Sequence, residues 1–148
     1  MSGTDGDRYA GDVAATVAWA ALSEQADATL IDVRTRAEWA YVGVPELGPI
    51  GKQLVLVEWD EFPSGAVVPD FAGRLAAELD ARGITRDAPL YFICRSGARS
   101  RRAAIAATAA GYGACFNVED GFEGRLGPDR HRATPGSWKA EGLPWVQS

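Results

Sequence analysis

The sequence predicts an α/β fold, a mostly parallel central sheet with helices on both faces, and three observations carry that reading. Short runs of aliphatic and aromatic residues, among them Thr29-Leu30-Ile31-Asp32-Val33 and Leu90-Tyr91-Phe92-Ile93, alternate with segments long enough for helices. The second run is apolar throughout and the first carries Leu30, Ile31 and Val33, as expected of strands covered on two faces. Glycines and polar turns punctuate the alternation, and no repeat, low-complexity tract or linker divides the 148 residues. Residues 1–10 are expected to be a flexible N-terminus and residues 11–148 one domain.

The elements follow in order. Asp12 is expected to cap a helix running to Leu22, with Val13, Val17 and Ala20 or Ala21 facing inward. Thr29–Val33 reads as a central strand ending in a polar turn. Thr35 then caps a short helix, with Glu38 three residues on in capping-box spacing. The stretch 43–51 holds three glycines and two prolines and reads as a loop. Gln53 to Trp59 is predicted to be a strand. Asp70, after Pro69, caps a helix whose Phe71, Leu75 and Leu79 recur every four residues and which stops at Gly83. The strand ending at Ile93 leads through a loop into a helix over 103–110, stopped by Gly111 and Gly113, and Ala114 to Val118 makes a further strand. The segment 120–145, with five glycines and three prolines, reads as turns with a short helical piece.

Composition bounds the function. A net charge of −5 lacks the basic footprint that nucleic-acid binding needs, so no nucleic-acid partner is expected. The longest apolar run, 13–22, is too short to span a bilayer, and no membrane association is expected. Met1–Asp7 has neither the basic start nor the apolar core of an export signal, so the two cysteines are read as reduced thiols and the cytoplasm as the compartment. Against this acidic background the arginines at 95, 99, 101 and 102 form a local positive cluster, which suits a small anionic substrate.

That cluster follows Cys94. The run Cys94-Arg95-Ser96-Gly97-Ala98-Arg99-Ser100 places a thiol between a strand and a helix start, where unpaired N–H groups favour negative charge. Such surroundings, with arginines in the same loop, favour the reactive thiolate over a buried inert thiol. Cys115, between Ala114 and Phe116, reads as core. Asp32 and Arg34, at the end of the first central strand, lie on the same rim as Cys94, because sites in such sheets form at strand carboxyl ends. The remaining candidates take ordinary roles: Arg101 and Arg102 a solvated face, His131 solvent, Trp59 and Trp138 packing, Gly121 and Gly124 turns. One histidine and two separated cysteines make no metal cluster, so no metal is expected.

Three segments in order resemble the rhodanese (sulfurtransferase) family: Leu30-Ile31-Asp32-Val33-Arg34 with Glu38-Trp39 and Gly43, the Cys94–Ser100 loop between strand and helix, and Asn117-Val118-Glu119-Asp120-Gly121-Phe122-Glu123-Gly124 ending in Gly142-Leu143-Pro144-Trp145. The resemblance spans about Asp12 to Trp145. It departs from the family pattern after Gly43, where Val44-Pro45 replaces the usual Gly-His-Ile-Pro-Gly-Ala course. It departs again at Asp120-Gly121, where a Gly-Gly pair is common, and over a lengthened 126–137.

The resemblance implies a rhodanese-like domain and a thiosulfate-sulfurtransferase-like enzyme. Cys94 would take a sulfane sulfur from thiosulfate or a similar small anionic donor as a persulfide. It would pass that sulfur to cyanide or a thiol acceptor, a protein thiol included, by ping-pong covalent catalysis without a cofactor. The N–H groups of Arg95, Ser96, Gly97, Ala98, Arg99 and Ser100 would curl round the sulfur as a nest, and Arg95 or Arg99 would grip the donor's oxygens. Asp32 and Arg34 would brace the loop as an ion pair.

Two rival readings share parts of this pattern. A non-turnover persulfide carrier, or a module sensing sulfur or redox state, would share the loop. Phosphatases and arsenate reductases resemble Cys-x5-Arg, whereas here the sixth position after the cysteine is Ser100 and Arg99 falls one residue early.

Overall fold

The computed structural model describes residues 7–127, 132 and 134–147. Its elements are β1 (Gly11–Val13), α1 (Ala15–Glu24), β2 (Thr29–Asp32), α2 (Arg36–Tyr41), β3 (Val44–Pro45), β4 (Val55–Leu56), α3 (Phe71–Ala81), β5 (Pro89–Ile93), α4 (Ala98–Ala109), β6 (Ala114–Val118) and β7 (Trp145–Val146). Five strands pair in parallel in the order β1-β6-β5-β2-β4, while β3 and β7 form a small antiparallel pair. The α/β fold with a parallel sheet is therefore as the sequence predicts.

Period-two alternation divides the core between the two sheet faces. Ile31, Leu90 and Phe92 pack with Leu75 and Leu79 of α3 and with Ala103, Ala104 and Ala107 of α4. Leu30, Tyr91 and Ile93 point the other way, onto Ala15, Ala18 and Leu22 of α1 and onto Phe122 and Trp138. Alanine suits α4, because small side chains let the helix lie close to the strands it covers.

Local signals set most boundaries. Thr35 and Glu38 make the reciprocal capping box of α2, and the Asp70 side chain accepts from the Gly73 N–H at the start of α3. Four expectations are corrected. Asp12 does not cap a helix: it lies in β1, and α1 starts after Ala14 with no side-chain cap. Its inward face is Ala15, Ala18 and Leu22, leaving Val17 53% exposed. In so apolar a helix the periodic signal is weak, and pairing of β1 with β6 across the chain decides the register. The predicted strand 53–59 shrinks to Val55–Leu56. α4 begins at Ala98, not Ala103, so Arg99, Ser100, Arg101 and Arg102 all occupy its first turns.

The loop 43–51 and the final segment contain the fourth difference. Val44–Pro45 pairs with Trp145–Val146, and Glu46 N–H donates to Pro144 O (2.9 Å). Of residues 1–10, residues 1–6 lie outside the described residues, whereas Ala10 N–H donates to Cys115 O at 2.7 Å. No helix among the described residues is long and apolar enough to cross a membrane.

Candidate active site

β2 and β5 are neighbours, with Asp32 paired to Ile93, so Arg34 and Cys94 leave the sheet at the same rim. The loop 94–97 then turns directly into α4. Gly97 makes the turn with φ +108, and a Cβ there would collide with the Glu119 carbonyl. Gly121 is equally constrained, since its Cβ would drive into the carbonyls of Cys94 and Arg95. The segment after β6 is thus pressed against the loop. Phe122 N–H donates to Cys94 O (2.8 Å), and the Glu123 and Gly124 N–H groups both donate to Arg95 O (3.0 Å).

Two donors face the sulfur. Gly97 N–H lies 3.1 Å from Cys94 Sγ and Ser100 Oγ 3.2 Å from it. Among the described residues, Gly97 N–H is the one backbone amide bonded to Sγ, so the cradle is narrower than a nest of all six loop amides. Ser100 Oγ also sits 2.5 Å from Asn117 Oδ1, while Asn117 Nδ2 donates to Asp12 Oδ1 (3.0 Å), which accepts from the Tyr9 hydroxyl as well (2.9 Å). A chain of hydrogen bonds therefore runs from the buried sulfur to the protein surface. Cys94 is itself buried, 1% exposed, so the reachable thiol that the sequence suggests is closed off in this conformation.

The arginines differ sharply. Arg99 binds Glu38 with both ends of its fork (2.7 and 2.9 Å) and lies 3.5 Å from Asp60. Burial alone would raise the Glu38 carboxyl, but the Arg99 hydrogen bonds and charge outweigh it and hold Glu38 at about 2. Burial likewise works against the Arg99 charge, and Glu38 more than restores it. Arg95 is exposed, with no hydrogen bond or ion pair from its side chain among the described residues. Arg34 and Asp32 form a fully buried ion pair (2.7 Å); Arg34 also donates to Gly43 O (2.6 Å) and stacks on Phe122 at 4.3 Å.

Beside the loop lies a cavity of about 480 Å³ lined by Arg95, Arg99, Glu38, Asp60 and Glu61, with Tyr41 and Phe62 on its rim. Ser96 is half-buried and Ala98 exposed in the loop itself. Cys115 is buried on β6, and burial pushes its thiol up. Trp138 is fully buried in the core, and Arg101 and Arg102 are exposed. His131 lies outside the described residues. Sequence reasoning missed Asn117, Asp60, Glu61 and the closeness of Gly121 to the loop. Asn117 alone left a signal, an amide inside an otherwise apolar strand.

Comparison with known proteins agrees with this architecture. A family model described as rhodanese-like domain matches residues 15–125. An uncharacterized Rickettsia rickettsii protein is 36% identical over 134 residues, 90% of this chain and 95% of the relative. The chloroplastic thylakoid rhodanese-like protein of Oryza sativa subsp. indica is 31% identical over 92% of this chain, which spans 25% of that longer protein. The crystal structure of Rv0390 from M. tuberculosis superposes with a TM-score of 0.85 at 44% identity, covering 95% of this chain and 100% of the other. The polysulfide-sulfur transferase homodimer of Wolinella succinogenes shares the fold, with a TM-score of 0.61 at 23% identity over 98% of this chain and 84% of its own.

Proposed function

The chain belongs to the rhodanese-like domain family, and from that premise we propose that it is a sulfurtransferase working through a persulfide on Cys94. One observation carries the reading: a strand-to-helix turn brings the Gly97 N–H and the Ser100 hydroxyl onto a single sulfur, beside a cavity lined by two arginines of the same turn. Both donors stabilise negative charge on sulfur, which is what a nucleophilic thiolate and the persulfide that replaces it share.

The Cys94 thiolate attacks the outer sulfur of a donor, a new S–S bond forms, and the donor's own bond to that sulfur breaks. With thiosulfate the leaving group is sulfite. An acceptor thiolate or cyanide then attacks the outer sulfur of the persulfide and returns Cys94 as thiolate, a two-step covalent cycle with no cofactor. Asp32, Arg34 and Phe122 act by holding the loop, since Phe122 joins the stacked Arg34 to the Cys94 carbonyl. Burial of the sulfur requires the loop to open for each transfer.

A second reading uses the same cradle, a carrier or sensor that loads one sulfur and does not turn over. Intact mass after treatment with thiosulfate or an organic persulfide tests the first step. The wild type gains one sulfur that reductant removes, and Cys94→Ser gains none. An unmodified wild type with every donor overturns both readings, and steady turnover with a thiol acceptor selects the enzyme.

A further inference from the structure

Asp12 and Asn117 stand opposite each other where β1 pairs with β6. That register puts both side chains on one face of the sheet, and Asn117 Nδ2 donates to Asp12 Oδ1 at 3.0 Å. The Tyr9 hydroxyl donates to the same oxygen at 2.9 Å. With its nitrogen held by a carboxylate, the Asn117 amide offers only its oxygen to Ser100. The 2.5 Å between Ser100 Oγ and Asn117 Oδ1 fits an O–H···O bond and is too short for one from nitrogen. Turning the amide over would aim its oxygen at the Asp12 carboxylate and lose the bond between them.

This fixes where the single Ser100 hydrogen rests. While Cys94 is a thiol, its S–H is donated to Ser100 Oγ and the hydroxyl to Asn117, so each of these buried groups has a partner. Once Cys94 has lost its proton to water, the hydroxyl reaches the sulfur only by leaving two buried oxygens face to face. If it stays on Asn117, Gly97 N–H is the donor left to the anion among the described residues.

We propose that Asp12 is a positioning residue for sulfur transfer: through Asn117 it draws the Ser100 hydroxyl away from Cys94 Sγ and so favours the thiol over the thiolate. The proposal rests on the sulfurtransferase reading and adds a control on how much nucleophile is present. Arg99 feels the sulfur's charge and pulls the other way, although it is shared with Glu38 and Asp60. Of the other charges near the loop, Arg34 is closed on Asp32, Arg101 lies over the Tyr9 ring at 5.4 Å, and Arg95 is exposed.

The test titrates the thiolate by its ultraviolet absorbance, in a Cys115→Ala background that leaves Cys94 the only cysteine. Asp12→Asn keeps the shape of an exposed side chain and frees the Asn117 amide to turn and donate to Ser100. The midpoint should fall by about one pH unit, a tenfold gain in thiolate below it, and the pH profile of sulfur loading should move with it. In Ser100→Ala, which has no hydroxyl to release, the same substitution should shift the midpoint far less. Asp12→Ser, too short to hold the amide, repeats the comparison. An unchanged or higher midpoint in both Asp12 variants overturns the proposal. So does an equal fall with and without Ser100, the mark of a nearby negative charge simply removed. Absence of sulfur loading in the wild type overturns sulfur transfer itself, whereas the titration needs no donor and judges Asp12 separately.

Discussion

Ser100 Oγ stands 2.5 Å from Asn117 Oδ1 and 3.2 Å from Cys94 Sγ, and it has one hydrogen to give. Asn117 is held with its oxygen toward Ser100 because its nitrogen donates to Asp12. When sulfur carries negative charge, the hydroxyl must turn from the amide to the sulfur. Ser100→Ala removes one of two sulfur donors, and hydrogen bonds to charged groups are worth about 1.5–3 kcal/mol. Single-turnover loading should therefore slow by roughly tenfold or more, while Ser100→Thr retains it. A wild-type rate in Ser100→Ala would remove the hydroxyl from the chemistry.

The two cysteines should separate cleanly. Cys94→Ser is expected to abolish sulfur transfer with an unchanged thermal midpoint, because serine is of similar volume and its buried hydroxyl keeps the Gly97 N–H and Ser100 hydroxyl as partners. Cys115→Ser should keep activity and lose about 1 kcal/mol of stability, since it places a hydroxyl in a buried apolar site. Activity surviving in Cys94→Ser would sink the persulfide mechanism.

Glycine substitutions distinguish a clamped turn from an open one. Gly97→Ala meets both a positive φ and the Glu119 carbonyl, whereas Gly83, at φ +70, faces open space. Urea unfolding should show Gly97→Ala destabilised by about 2 kcal/mol or more and Gly83→Ala by about 1 kcal/mol. Equal losses would mean that the loop is not gripped by its neighbour.

Acid should weaken the protein through Glu38. Its carboxyl is held at about 2, below the ordinary 4.5, so the folded state binds fewer protons there than the unfolded chain. The stability that pairing with Arg99 adds is present above pH 4.5 and is lost as pH falls toward 2. Glu38→Gln should flatten the urea midpoint across that window. Parallel curves for wild type and variant would refute the assignment.

Burial makes a kinetic prediction as well. With Cys94 1% exposed, iodoacetamide should label the native protein far more slowly than the urea-unfolded chain. A rate on native protein matching that of an accessible thiol would show that the loop stands open in solution.

The alternation of strands and helices was legible because each element announces itself locally, by a cap at Thr35 and Asp70 or by the spacing of Phe71, Leu75 and Leu79. What stayed hidden depends on partners distant in sequence. β1 is three residues long and exists through its pairing with β6, and β3 exists through β7. The site divides in the same way. Cys94 and its loop could be read from one contiguous motif. That Arg99 is committed to Glu38, sixty-one positions away, could not, because no short-range pattern distinguishes a guanidinium aimed at substrate from one already occupied.

The turn at 121–124 holds the loop by three amides, and that turn is itself held by the chain beyond it: Trp138 N–H donates to Gly121 O and Lys139 N–H to Phe122 O. The last portion of the chain therefore serves as a splint for a thiol more than forty positions upstream. Shortening it ahead of Trp138 would loosen the sulfur's surroundings and also open a hole in the core face that Trp138 shares with Leu30, Tyr91 and Ile93.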